Sequence, residues 1–334
     1  MKLRKIFAES PEIELWRLLL RYSYPDNIVR HFNDRGLGAP SQEQLDTISG
    51  SVLQAKEYYE ASKVTSLQIS PLLLYYGTSH LLYAFAHLLT NKTIAIYDHG
   101  MKLFPSAGGA PLGKSELNPC NPATGALAVF HTALGANVSS LIVGKGKWTL
   151  SELIGSVPDL FDLYMDCYPG DQPFVLPVEV QKDRAGVMER IRLAHLKSLS
   201  MGPVHSLIVD YSTNYLVPQQ TSDYLICRRK LTYMERGIFA LSGHKFVKLY
   251  HVKGTQRLDV PLEIIFFMGL FILGSLCRYH PSVWTPFVLR DITGERHIIE
   301  TFLDTARRTL PNLILNRLNS ERIIFVSERI SLDL

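Results

Sequence analysis

At 334 residues, with 46% hydrophobic and 10% aromatic residues, the chain is long enough for two packed domains or one large irregular one, and a charged fraction of 20% excludes a disordered chain. Its 35 basic and 31 acidic residues leave a formal net charge of +4 with no long basic block, too mild a balance to require nucleic acid or an anionic membrane as partner. Cys120, Cys167, Cys227 and Cys277 stand far apart with no C-x-x-C pair, which suggests neither a zinc site nor a disulfide framework and suits a reducing cytosol.

The N-terminus is basic and then apolar, but Glu9, Glu12 and Glu14 interrupt it and no small-residue cleavage site follows, so a signal peptide is not expected. Residues 11–35 read as an amphipathic helix with Ile13, Trp16, Leu19 and Leu20 on one face, broken near Tyr24-Pro25-Asp26. A second short helix carries Ile28, Val29 and Phe32 before Gly36 and Gly38 stop it. Ser41 and Gln44 have capping-box spacing and launch a helix through Ile48, Val52, Ala55, Tyr58 and Tyr59. Ser70-Pro71 starts the next one, because a serine hydroxyl can accept from an orphan N–H and proline has none to leave unpaired. From 72 to 89 apolar residues fall on every side, as in a helix buried all round. Gly77, Thr78 and Ser79 form a small patch open to another backbone, and His80 and His87 lie two turns apart on one face.

After Asn91 the character changes. Residues 93–97 are short and β-branched, ended by a turn at Asp98-His99-Gly100, and 106–125 is Gly/Pro-rich loop. Residues 126–134 and 139–143 read as paired strands, followed by a turn at 144–147 and Trp148. Thr149 or Ser151 then caps a short helix that ends before Pro158, and 159–168 continues as another. Residues 174–180 alternate in strand fashion, 184–199 read as helix, and 206–211 as a short apolar strand.

The last third returns to helix: the apolar run 260–277, then Arg278 to Trp284, then 297–309, closing before Pro311. The run 260–277 has the length of a membrane span, but Glu263 near its start and Arg278-Tyr279-His280 directly after it favour a buried core helix. The expected fold class is α+β, predominantly helical, with a small mixed α/β middle section. It divides into an N-terminal helical part (1–90), a mixed part (91–255) and a C-terminal helical part (256–334) that packs on the N-terminal helices. The apolar runs 71–89 and 260–277 are the natural partners.

The Trp16 helix, SPLLLYYG at 70–77, DHG at 98–100, WTLSELIGSVPDL at 148–160, SLCRYHPSVW at 275–284 and RRTLPNLILN at 307–316 together resemble the YaaC-like proteins of bacilli and related bacteria, over nearly the whole chain. The resemblance implies a protein with no established enzymatic activity whose gene, in bacilli, lies near that of IMP dehydrogenase. That neighbourhood hints at purine metabolism by association alone.

Two patterns could carry chemistry. Gly108 to Ser115 satisfies G-x-x-x-x-G-K-S, in which backbone N–H groups wrap phosphates, Lys114 would reach them and Ser115 would hold magnesium, with Gly108 and Gly113 shaping the loop. That chemistry needs a strand before the loop and a helix starting at Lys114-Ser115, and Pro119 and Pro122 fall where the helix should run. An arginine and a histidine a few residues apart on a helix also invite comparison with HEPN ribonucleases. Arg190 and His195 have that spacing on an expected helix but with apolar Ile191 between them, and Arg290 and His297 are separated by a turn at Thr293-Gly294. His80, His87, His99 and His131 lack accompanying carboxylates and read as core histidines, so no metal or other cofactor is implied. Arg278, Tyr279, His280 and Trp284 could line an interaction surface, or the arginine could cap the preceding helix. The expectation is a cytoplasmic, protein-binding regulator, with IMP dehydrogenase as the partner that gene context suggests and no membrane or strong nucleic-acid signal. The rival is a nucleotide- or RNA-acting enzyme using the 108–115 loop or an Arg/His pair.

Overall fold

Proline and capping residues start several helices where the sequence places them. In the computed structural model, which describes residues 2–120, 125–136, 146–183, 186–196, 204–209, 215–229, 238–253 and 256–326, β1 (Lys2–Phe7) leads into α1 (Pro11–Leu19). A 3-10 turn (Leu20–Ser23) breaks the chain before Pro25 opens α2 (Pro25–Asp34). The Ser41 hydroxyl accepts from the Gln44 N–H and the Gln44 side chain accepts from the Ser41 N–H, so both orphan donors at the start of α3 (Gln42–Val64) are satisfied. α4 (Ser70–His87) runs back along α3; Ser70 is its first residue and not the expected cap, its hydroxyl donating instead to the Ser62 carbonyl at 2.8 Å, and Pro71 is the second residue. A Cβ on Gly77 would stand 2.8 Å from Tyr59 Cδ2, so the glycine is what lets the two helices approach, and Tyr59 and Thr78 share a buried hydrogen bond of 3.0 Å at the crossing.

The helix α8 (Leu262–Tyr279) has no polar face over most of its length and is enclosed accordingly. Phe267 stacks on Tyr75 of α4 at 5.5 Å and meets Phe130 of α5 (Gly125–Ala133) at 5.1 Å, while Phe266 meets Phe302 of α10 (Arg296–Asn319) at 5.5 Å. It is long and apolar enough to cross a membrane, but 72% of it is buried in protein, so it does not present the lipid-facing surface that a span requires. Between it and α10, α9 (Pro281–Arg290) completes the C-terminal helices. Gly274 of α8 packs against Tyr75 and Leu72 of α4.

The middle of the chain is mixed. β2 (Met101–Phe104), β3 (Glu116–Pro119) and β4 (Trp148–Thr149) form a small antiparallel sheet, followed by α6 (Leu150–Ile154), which starts on a Thr149–Glu152 capping box, and α7 (Phe161–Cys167). A six-stranded antiparallel sheet then holds β5 (Val175–Asp183), β6 (Gly186–Arg192), β7 (Tyr215–Gln220), β8 (Tyr224–Arg229), β9 (Ile238–Phe239) and β10 (Lys245–Lys248) in the order β7-β8-β6-β5-β10-β9. It has its own apolar cluster, around Leu176, Ile191, Leu225 and Cys227, apart from the main helical core. A hairpin of β11 (His251–Lys253) and β12 (Gln256–Leu258) follows, and β13 (Glu321–Val326) pairs in parallel with β1, joining the two ends of the described chain. The fold is α+β and predominantly helical.

Several local expectations give way to tertiary context. Residues 126–134 are helical, not strand: Ala126, Leu127, Phe130 and His131 are the buried positions, a helical spacing that puts Phe130 against α8. The strand expected at 139–143 lies outside the described residues. Residues 93–97 form no strand but an irregular segment whose Ile94 carbonyl accepts from Tyr83 Oη at 2.6 Å. Of the helix expected at 184–199, the described part is β6 (Gly186–Arg192), paired with β5 from Val178↔Ile191 to Asp183↔Gly186, and a following 3-10 turn; its alternate residues Glu189 and Ile191 are both buried while their neighbours are not. Of 206–211, the described part is a 3-10 turn (Val204–Leu207) and one bridge, Ile208 to Leu249. Finally, α10 does not stop at Pro311. The ring sits buried inside the helix, and the apolar stripe continues through Ile314, Leu315 and Leu318 into the core, which outweighs the lost N–H.

Candidate functional site

The G-x-x-x-x-G-K-S segment gathers hydrogen-bond donors, but for an anion that the chain itself supplies. Leu112–Lys114 is a single 3-10 turn, and the chain proceeds from Ser115 into β3 rather than into a helix, so the strand–loop–helix order of a phosphate loop is not formed. The N–H groups of Leu112 and Gly113 donate to Glu295, at 2.6 Å to Oε2 and 2.8 Å to Oε1. Tyr168 Oη donates to Oε1 at 2.5 Å and Thr293 Oγ1 to Oε2 at 2.8 Å. Glu295 is 1% exposed, and burial together with its carboxylate raises the Tyr168 phenol far above the usual range. Ser115 is buried, its Oγ accepting from the Ser106 N–H at 3.1 Å, so it faces no solvent where magnesium could sit. Close packing is built in: a Cβ on Gly113 would meet Tyr168 Oη at 2.7 Å.

The Arg/His spacing is not assembled on a helix either. Arg190 lies on β6, its guanidinium 4.4 Å from the Tyr224 ring centroid, and the backbone of His195 belongs to a 3-10 turn (Leu193–His195) beyond the strand; the His195 side chain lies outside the described residues. Arg290 ends α9, Asp291 takes a left-handed conformation, and His297 is carried into α10, so that pair is split by the expected turn.

Of the four histidines expected in the core, His87 and His131 are buried, His80 is half-buried and His99 is exposed, and they sit apart. His87 lies edge-on to Tyr83 at 4.7 Å, His80 stacks on Tyr58 at 5.7 Å, and His99 Nδ1 is 2.7 Å from Tyr75 Oη. Burial holds His80, His87 and His99 below the ordinary imidazole range and lowers His131 to about 4. Among the described residues no three His, Cys, Asp or Glu side chains group as metal ligands.

The residues at the end of α8 divide into two sets. Trp284 belongs to the interior: it is 0% exposed, packs on Phe287 at 5.2 Å, and its indole N–H donates to the Gln68 carbonyl at 3.2 Å, which Cys277 Sγ also reaches at 2.9 Å. It pins α9 to the approach of α4 and is not free to meet a partner. Arg278 and Tyr279 face outward. The Arg278 guanidinium donates to Tyr76 Oη and lies 4.9 Å from the Tyr279 ring centroid, and Tyr279 is 60% exposed. Tyr76 in turn neighbours Tyr58 at 5.9 Å, and Tyr58 carries the stacked His80. His280, half-buried, stands at the start of α9. The result is a patch of Tyr58, Tyr76, His80, Arg278 and Tyr279 contributed by α3, α4 and α8. Tyrosine and arginine are the side chains that supply large, rigid contact area at protein interfaces. The members from α3 and α4 were missed in the sequence because Tyr58 and Tyr76 read there as core residues of buried helices.

A family model for YaaC-like proteins matches residues 24–318, from the break before α2 to the last turn of α10. The chain belongs to the YaaC-like family. The match takes in both halves of the Tyr/Arg patch, the Glu295-filled loop and the six-stranded sheet of this YaaC-like protein. Neither curated proteins nor solved structures yield a match.

Proposed function

We propose that this YaaC-like protein is a cytoplasmic regulator that works by binding another protein and carries out no reaction of its own. The observation that carries the reading is Arg278, held across Tyr76 and Tyr279 beside Tyr58 and His80 on a face with an exposed aromatic ring. Contributing support comes from the groups that an enzyme reading would need: the Gly113 amide is spent on Glu295, and Arg190 lies on a strand against the Tyr224 ring and not on a helix with His195. The gene neighbourhood of the family in bacilli nominates IMP dehydrogenase as the partner and purine metabolism as the process.

The experiment is biolayer interferometry between the immobilised full-length protein and purified IMP dehydrogenase, with Tyr279→Ala and Arg278→Ala as variants. Expected is saturable binding that each substitution weakens by about 30-fold, the effect of a contact residue worth about 2 kcal/mol. No binding by the unaltered protein, or binding indifferent to both substitutions, would overturn the partner or the surface respectively. Trp284 is not a suitable probe, since its loss disturbs the core.

A further inference from the structure

Where the two ends of the described chain meet, the surface turns concave and basic. The parallel pairing of β1 with β13 lays Arg4 beside the end of α10, and the break between α1 and α2 projects Arg21 from its 3-10 turn while α2 returns Arg30, His31 and, at its C-terminus, Arg35. With Tyr22 these line a cavity of about 320 Å3 whose lining includes four arginines and one acidic residue, Asp34. Leu18, Leu315 and Leu318 supply apolar lining, and the Tyr22 and His31 rings meet edge-on at 5.3 Å.

Among the described residues, Arg4 is the one arginine of the four with an ion pair. Arg35 is fixed by a neutral acceptor, its Nη2 donating to the Leu318 carbonyl at 2.8 Å, and Arg4 has Glu321 at 3.9 Å, beyond hydrogen-bond length. Arg21 and Arg30 have no carboxylate within 4 Å among the described residues, although Asp26 and Asp34 lie one turn either side of Arg30. The field of this cluster reaches the pocket wall. The Arg21 and Arg35 charges pull against the burial that raises the Tyr22 phenol, and Arg35 adds to the burial that lowers His31. His31 Nε2 lies 3.0 Å from the Leu88 carbonyl, which accepts from it.

We propose that this cleft binds a small phosphorylated molecule carrying a flat ring, of the nucleoside monophosphate class. Guanidinium forks match phosphate oxygens in pairs, and unpaired ones gain the most from an anion. Tyr22 and the leucines offer the flat, apolar surface on which a base would lie. The cavity stands at the lower end of the range for small-molecule sites, about 300–1,000 Å3, which suits one nucleotide and not a strand, since a strand needs an extended groove. None of these residues belongs to the Arg278–Tyr279 face, so the site stands or falls apart from the protein partner.

The test is isothermal titration of the full-length protein with AMP, GMP, CMP and UMP, with adenosine and guanosine as phosphate-free controls and a 12-nucleotide single-stranded RNA as the macromolecular competitor. Expected is saturable binding of at least one monophosphate, at least tenfold weaker for its nucleoside, and weakened about tenfold by Arg21→Gln or Arg30→Gln and about a hundredfold by both. Both side chains are exposed and free of carboxylate partners, so the variants keep the fold, which circular dichroism checks. Arg278→Gln, outside the cleft, leaves binding unchanged. The proposal is overturned if no monophosphate binds at 5 mM, if the nucleoside binds as well as its phosphate, if the RNA binds and the monophosphates do not, or if the double variant binds like the unaltered protein.

Discussion

Removing the carboxylate of Glu295 isolates what the filled loop contributes. Glu295→Ala strips the acceptor from four donors at once: the Leu112 and Gly113 amides, Tyr168 Oη and Thr293 Oγ1. The two hydroxyls can turn to other acceptors, but the two amides are fixed by the 3-10 turn and stay buried. At about 1–3 kcal/mol for each stranded donor, and with the charge-assisted bonds lost as well, the cost is about 4 kcal/mol. Glu295→Gln separates the contributions. Each carboxylate oxygen serves one amide and one hydroxyl, so whichever end of the glutamine carries the NH2, the hydroxyl there can accept from it while one amide is left facing N–H. The expected cost is therefore about 2 kcal/mol, half that of alanine. Urea unfolding followed by tryptophan fluorescence reads this, since Trp16, Trp148 and Trp284 are all buried in the main core. A chain of this size can unfold in more than one step, so hydrogen exchange at the Leu112 and Gly113 amides supplies a local readout. An alanine cost below about 1 kcal/mol with those amides still protected, or glutamine costing as much as alanine, refutes the assignment of Glu295 as the loop's own anion.

Two further outcomes follow from buried charge. His131 is held at about 4 by burial, with Lys248 adding to the effect and Asp259 opposing it. Because the unfolded imidazole titrates near 6.5, the unfolded chain takes up the proton first as pH falls. The stability present above about 6.5 is then lost between 6.5 and 4, by at most about 3 kcal/mol. Urea midpoints at pH 7.5 and 5.0 should show the fall, and His131→Leu should shrink it; an undiminished fall in the variant would assign the acid sensitivity elsewhere, with His251 next in line. In the six-stranded sheet, Lys245 on β10 reaches across β5 to Glu189 on β6 at 2.5 Å, both ends buried. Lys245→Met, which leaves the carboxylate buried without that partner, should cost about 3–5 kcal/mol, and Lys245→Met with Glu189→Leu should cost less than the single change. Additive costs measured by denaturant unfolding would show that the two side chains are not coupled.

What could be read from the chain beforehand was whatever is decided within one turn or one strand. Ser41 with Gln44 acts through neighbours three residues away and sits where the pattern put it, and Pro25 stands at the expected break, whereas Ser70 does not cap α4 because its hydroxyl turns to the Ser62 carbonyl. The all-round apolar run at Leu262–Tyr279 required enclosure whatever surrounded it. The failures are the places where a distant partner outvotes local preference. Residues 186–192 carry enough charge to look like a solvated helix face, and the buried Glu189 is met in the strand by a β10 lysine more than fifty residues on. Pro311 is a helix stop in isolation, yet the buried Ile314, Leu315 and Leu318 draw the helix past it. The cleft was invisible for the same reason. Its arginines come from β1, a turn and the α2 region, and its apolar wall comes mainly from α10, so no single stretch of the chain carries it.

The phosphate-loop pattern and the cleft bear on one question, where this molecule keeps a place for an anion. Gly113 and the turn around it do point two backbone N–H groups at one spot, which is the physics the motif stands for, but a carboxylate 182 residues further along the chain already satisfies both and is clamped there by two hydroxyls. An incoming phosphate would have to expel a buried, fourfold hydrogen-bonded anion and leave it without partners, at a cost no surface contact repays. At the cleft the balance is reversed. Four arginines and one aspartate line it, and among the described residues three of the arginines have no ion-pair partner, Arg35 being held only by a neutral carbonyl. An anion entering there displaces only water and relieves repulsion among like charges, so the same negative group that the motif cannot take is one that the arginines would gain by taking. Lys114→Ala should accordingly leave monophosphate binding as it is in the titration described above, whereas the Arg21 and Arg30 variants lose it; the opposite pattern would return the anion to the loop.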